Sequence, residues 1–157
     1  MKKTLVAYFS ATGTTELLAK RLATLVNGDL FAIVPEQPYT KADLNWMDLN
    51  SRSSVEMKNK TFRPKIANKV KNMEDYDRIF LGFPIWWYVA PTIIHTFLQT
   101  YDWKGKTIIP FATSGGSGMG KTNEELAVLC EGAVLKEGKC FDPNVSTETL
   151  QQWVLAV

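Results

Sequence analysis

Residues 4–9, Thr-Leu-Val-Ala-Tyr-Phe, are apolar on both alternating faces and run directly into Ser10-Ala11-Thr12-Gly13-Thr14-Thr15. A strand with one apolar face can lie on a wet sheet surface. A strand with two must be covered on both sides, which is the reading of a parallel strand packed between layers of helices. The small polar run after it opens a helix, because Leu18, Leu22, Leu25 and Val26 share one helical face and Asn27-Gly28 closes it.

The same alternation continues along the chain. Residues 30–34 read as a second strand, stopped by Pro35. Pro64 opens a helical pattern through Ile66, Val70 and Met73, and residues 78–83 form a third strand. Residues 91–101 read as a helix with proline in its first turn, and residues 107–112 as a fourth strand. Thr122-Asn123-Glu124-Glu125 has the form of a capping box before Leu126 and Leu129. Residues 133–135 start a short fifth strand, and Leu150, Trp153, Val154 and Val157 mark a closing helix. Strand and helix in alternation predict one α/β domain over residues 1–157: a doubly wound, five-stranded parallel sheet with helices on both faces.

Several function classes are excluded at this level. No apolar run approaches the ~18–20 residues of a membrane span. The apolar stretch after Met1-Lys2-Lys3 is interrupted by polar residues before it reaches signal-peptide length, so a cytoplasmic protein is expected. Cys130 and Cys140 form no C-x-x-C motif and read as free thiols. The single histidine, His95, lies in an apolar stretch and reads as a packed residue, so no catalytic triad is expected. Seven basic residues fall between 52 and 74, but only Phe62 is interleaved among them. That is a solvated face and not a nucleic-acid surface.

In a parallel sheet the loops that follow the strands share one edge, where ligands bind. The first loop is Ser10 to Thr15. Free backbone N–H groups at a helix N-terminus attract an anion, four hydroxyls add donors, and Gly13 lets the backbone come close. A capped turn needs one hydroxyl; four, with no Lys or Arg, point to a phosphate held by neutral hydrogen bonds. The second loop holds Pro84, Ile85, Trp86, Trp87 and Tyr88, and three successive aromatics cannot all enter one core. At least one is expected to line a cleft for a planar ligand. The third loop, from Thr113 and Ser114 through Gly115 and Gly116, has four glycines between 115 and 120. Gly115, Gly120, Lys121 and Thr122 formally match a nucleotide-hydrolase P-loop, the alternative reading. That reading lacks an acidic residue at the end of a neighbouring strand to hold Mg²⁺.

Val6, Tyr8, Ser10, Gly13, Thr15, Ala19 and Leu22 fall at the spacing of the flavodoxin signature, with Ala7 departing from it inside the strand. The 80–87 and 110–118 segments are similar to those of short bacterial flavodoxin-like proteins. The resemblance covers essentially the whole chain. It implies a sheet of order 2-1-3-4-5 and non-covalently bound FMN. Ser10, Ala11, Thr12, Gly13, Thr14 and Thr15 would hold the phosphate. Pro84, Ile85, Trp86, Trp87 and Tyr88 would flank the ring, and Thr113, Ser114, Gly115 and Gly116 would line its other side. No catalytic side chain and no metal are implied. The expected partners are a redox protein, or NAD(P)H with a small acceptor such as a quinone. A homodimer through the Trp87-Tyr88 tip is also compatible. Flavodoxin electron carriers are strongly acidic, whereas this chain has a formal net charge of +2, so a large acidic steering face is not expected. The long stretch 36–63 calls for a role. Ser53 to Glu56 offers a second capping box, and Trp46, Met47 or Arg52 is expected to cover the flavin edge and shape a pocket.

Overall fold

The structure is a computed structural model that describes residues 3–114 and 118–157. β1 (Lys3–Tyr8) holds the interior of the sheet, and Leu5, Val6, Ala7, Tyr8 and the following Phe9 are all buried. It pairs in parallel with β2 (Asp29–Ala32) on one edge and β3 (Tyr76–Pro84) on the other. β3 pairs in turn with β4 (Thr107–Thr113). β5 (Val134–Leu135) pairs with Thr107 and Ile108, and β6 (Lys139–Phe141) with Phe111 to Thr113. The other edge of β4 is taken by β3, so β5 and β6 lie in one column. Thr107 opposes Val134 while Phe111 opposes Lys139, so that column carries one extra residue at its break, as in a bulge. The order β2-β1-β3-β4-β5 is the one that the resemblance implies.

Helices cover both faces, and the period of two in the strands decides which residues meet them. α1 (Thr14–Val26) and α5 (Thr147–Ala156) bring Leu18, Leu22, Leu150 and Trp153 onto Val6, Tyr8, Phe80, Ile109 and Phe111. α3 (Thr92–Thr100) and α4 (Thr122–Ala127) bring Ile93, Ile94, Phe97 and Leu126 onto Leu5, Ala7, Phe9, Ile79, Leu81 and Phe83. Each fully buried Leu, Ile or Phe contributes roughly 1.5–3 kcal/mol, so these two layers carry the fold.

Three local expectations are corrected. Residues 64–73 form no helix. Pro35 and Ile66 make an antiparallel bridge, with the Ala67 N–H donating to Val34 O at 2.7 Å and the Glu36 N–H to Lys65 O at 2.9 Å. Ile66 and Val70 still pack on the core, so their spacing reports burial and not conformation. The helix of the long connection is α2 (Arg52–Lys58), capped by Ser51 and not by Ser53. At α4 the Thr122 hydroxyl donates back to the Met119 carbonyl and caps no N–H, so the predicted capping box is not formed.

Both cysteines are free thiols. Four of the seven basic residues between 52 and 74 are engaged locally: Arg52 with Glu56, Lys58 with Leu49 O, Lys60 with Glu125, and Arg63 with Gln99. Among the described residues, no helix is long and apolar enough to cross a membrane.

Candidate functional site

β2 and β3 lie on opposite sides of β1, so the winding direction reverses between β1 and β3. The carboxyl ends of these two strands part there and leave a crevice. Two hydrogen bonds fix its floor: the Phe9 N–H donates to Gly82 O at 2.9 Å, and the Ile85 N–H to Thr113 O at 2.9 Å.

The first loop turns through Gly13, at φ 91°, into α1. Ser10 Oγ accepts from the Gly13 N–H at 3.1 Å and from the Glu16 N–H at 3.2 Å. The serine therefore caps the helix and shapes the loop. The N–H groups of Thr12, Thr14 and Thr15 find no acceptor among the described residues, at the end of a helix whose dipole favours negative charge. Thr12 Oγ1 and Thr14 Oγ1 lie 3.3 Å apart on the exposed side. Thr15 is different: its buried hydroxyl meets Thr113 Oγ1 at 2.8 Å and ties the first loop to the end of β4. What Thr15 offers an anion is its backbone.

The second loop is a tight turn closed by Trp86 and Val89, with the Trp86 N–H donating to Val89 O at 2.9 Å and the Val89 N–H to Trp86 O at 3.2 Å. Its two central residues, Trp87 and Tyr88, have φ of 49° and 67°, a conformation normally left to Gly and Asn. Such strain concentrates at binding sites. It throws Trp87 and Tyr88 outward, while Trp86 turns in and packs edge-on to Phe9 and Tyr39 at 5.8 and 5.5 Å between centroids. From the third loop, Gly120 sits against this turn, where a Cβ would collide with Tyr88 O. Of the expected third-loop residues, Thr113 is buried at the end of β4 and Ser114 follows it. Gly115 and Gly116 lie outside the described residues.

These loops enclose a cleft of about 610 Å³. From the first two loops Ala11, Thr12, Pro84, Ile85, Trp86, Trp87 and Tyr88 line it, the last two exposed. The opposite wall is Leu44, Trp46 and Ser53, all from the long connection. Of the three residues expected to shape a pocket, Trp46 lines the cleft, and Met47 and Arg52 do not. Arg52 lies over the Tyr39 ring at 3.8 Å, pairs with the buried Glu56 at 2.9 Å and donates to Gln37 O. Tyr39 donates to the same carboxylate, and burial, then that hydrogen bond, pushes its pKa well up. Leu44, Ser53 and Tyr39 escaped the sequence reading. The one available signal was the length of the 36–63 stretch.

His95 is buried on α3, with Nε2 3.9 Å from Glu125 Oε1. It lies away from the cleft lining, as a packed residue. The Thr122 side chain is fully buried and bonded to Met119 O, so the P-loop reading loses the hydroxyl it needs for Mg²⁺.

A doubly wound sheet with free N–H groups at a helix N-terminus and an aromatic cleft at its switch point defines a class of proteins that bind a phosphate-bearing planar ligand. Residues 3–157 match the family model described as Flavodoxin, and the chain belongs to that family. The P-loop alternative gains nothing from that match. A "putative flavoprotein" from Bacteroides eggerthii, known from its crystal structure, is 47% identical; the match covers 100% of this chain and 99% of that one, with a TM-score of 0.93. A second, from Bacteroides uniformis, is also 47% identical, covers 98% of each chain and has a TM-score of 0.93. The flavoprotein of Lactobacillus acidophilus, solved in complex with FMN, is 22% identical over 98% of this chain and 99% of that one, with a TM-score of 0.68, and shares the fold. No curated protein matches the sequence.

Proposed function

We propose that this chain binds FMN non-covalently in the cleft and acts as a redox protein through it. The observation that carries this reading is the pairing of two features at one switch point. One is an anion site built from neutral donors, the N–H groups of Thr12, Thr14 and Thr15 with the Thr12 and Thr14 hydroxyls. The other is a neighbouring aromatic cleft of about 610 Å³, a size suited to a small planar group. When bound, the cofactor supplies one- and two-electron chemistry, and the protein supplies binding, orientation and electrostatics. Ser10 holds the loop in shape, the threonines take the phosphate, and Trp86, braced by Phe9 and Tyr39, is a fixed wall for the ring. Thr113, tied to Thr15, sets the height of the opposite loop.

Two roles are compatible with this site: an electron carrier for a protein partner, or a reductase passing electrons from NAD(P)H to a small acceptor. The uncharged, aromatic outer wall favours the small acceptor. The first test is the visible spectrum of the protein with FMN. Bands near ~370 and ~450 nm that shift or sharpen on binding support the reading, and free-flavin behaviour refutes it. Thr12→Ala with Thr14→Ala should weaken FMN binding about tenfold or more, since each lost hydrogen bond to a charged group is worth about 1.5–3 kcal/mol. Lys121→Ala should leave it nearly intact. NAD(P)H oxidation measured with and without a quinone separates carrier from reductase.

A further inference from the structure

We infer that a second cavity, which meets the cleft only at Trp87, is a binding site for an aromatic monocarboxylate of single-ring size. The inference goes beyond the FMN reading and does not depend on it, because the linings of the two cavities have no other residue in common.

Size and lining are the first argument. The cavity holds about 210 Å³. α2 supplies Ser54, Met57 and Lys58, which share one helical face at spacings of three and four. The aromatic turn supplies Trp87 and Val89, and Leu49 and Lys60 complete the wall from either side of α2. An apolar cavity of about 150 Å³ takes benzene, so this volume suits one aromatic ring with a small substituent. Leu49 stays 67% exposed although its carbonyl is held by the Lys58 ammonium at 3.1 Å. Apolar surface left open in a concavity marks a binding site, and the Met57 thioether and the Trp87 indole both favour an aromatic occupant.

Charge is the second argument, and the two lysines of the lining differ in it. Lys60 Nζ lies 2.7 Å from Glu125 Oε2, so its charge is matched. The Lys58 ammonium has one partner among the described residues, the uncharged Leu49 carbonyl. The acidic residues nearest along the chain are engaged elsewhere: Glu56 holds Arg52 and Tyr39, and Asp48 accepts from the Asn50 N–H at 2.9 Å. One unmatched positive charge therefore borders an apolar cavity. An ammonium has three N–H donors, so Lys58 can keep Leu49 O and still donate to a carboxylate. A single negative charge balances it, whereas a diphosphate or a dicarboxylate brings charge that the cavity does not match.

Trp87 is the third argument. It keeps φ 49°, a conformation unfavourable for a bulky side chain, and in it the residue lines both cavities. A ligand in the smaller cavity therefore packs against a residue that also lines the flavin cleft, while Thr12 and Trp86, which would hold the cofactor, stay clear of it. The carboxylate and FMN occupy the protein together and do not compete.

The test uses FMN-loaded, oxidised protein at neutral pH. Titration calorimetry compares 4-methylbenzoate with 4-methylbenzamide, which has the same shape and no charge. Wild type should bind the acid about threefold or more tighter than the amide, as an ion pair at an exposed lysine allows. Lys58→Met should abolish that preference and leave the amide within about twofold. Lys60→Met should keep the preference, because its charge is matched by Glu125. Met57→Ala should weaken acid and amide alike, by about threefold or more. FMN affinity, followed by fluorescence quenching, should move less than about twofold in all three variants. The inference is overturned if wild type binds neither probe or both equally, if Lys58→Met changes nothing, if Lys58→Met and Lys60→Met lose the preference equally, or if the acid displaces FMN. Wild-type protein that fails to take up FMN refutes the functional reading alone, and the same titrations on the FMN-free protein then decide this inference.

Discussion

Gly120 has φ 54° and lies against the Tyr88 carbonyl, so its backbone and its neighbour both require a missing Cβ. Gly120→Ala is expected to cost about 1–3 kcal/mol and to push the 86–89 turn away from the cleft, weakening FMN binding. At Gly118 an added Cβ meets nothing, so Gly118→Ala is the control, and urea midpoints with FMN titrations compare the two. His95 illustrates a residue whose role is structural. Burial, then the nearby Arg63, hold its pKa below the usual 6.5, and Glu125 opposes them only in part. The folded state therefore favours neutral imidazole, while the unfolded chain takes up a proton from about pH 6.5 downward. This contribution is complete above that pH and is lost as pH falls through the folded pKa. Relative to His95→Gln, wild type should lose stability as pH falls below about 6.5 in paired denaturant titrations. A constant difference across that range would remove the assignment.

The elements differ in how far local sequence determines them. The inner spans of β1, β3 and β4, residues 5–8, 79–83 and 108–112, are buried on both faces, so they carry no charged side chain and were legible at once. The first loop and the aromatic turn were legible from residue type, because hydroxyls before a helix and three adjacent aromatics have few other uses. Residues 64–73 were not. Ile66 and Val70 keep helical spacing, but Pro35 and Glu36 pair with that stretch from far along the chain and hold it extended. Leu44, Ser53 and Tyr39 were hidden for a related reason, since the path of the 36–63 connection is set by one buried carboxylate. Glu56 receives both Arg52 and the Tyr39 hydroxyl. Removing one partner of a buried pair costs about 3–5 kcal/mol, and less where the remaining charge keeps some solvent, as Arg52 does. Glu56→Ala should therefore loosen the connection by about 2–3 kcal/mol without melting the sheet. Hydrogen exchange should accelerate over residues 39–58 and stay slow in β1, β3 and β4. Uniform acceleration would mean that the connection is integral to the core.

At the scale of the molecule, the field is nearly balanced. The formal charge of the chain is +2, and a bound phosphomonoester adds roughly −1.5 to −2, which brings the loaded protein close to zero. Its charges are also paired locally, as in Lys60–Glu125 and Lys20–Glu16, so neither sign dominates through those contacts. Long-range steering needs a large field of one sign and is screened as the Debye length shortens from about 30 Å in dilute buffer to about 3 Å in molar salt. The loaded, reduced protein should therefore be oxidised by ferricyanide and by a cationic cobalt(III) complex at rates that each change less than about threefold over that range. Stopped-flow reoxidation under anaerobic conditions measures both. A tenfold dependence of opposite sign for the two reagents would reveal a dominant charged face, and would favour a charged protein as the physiological partner over a neutral small molecule. A flat response leaves selectivity to contact at the cleft mouth, where Trp46, Trp87 and Tyr88 stand exposed and no charged side chain among the described residues lines the walls.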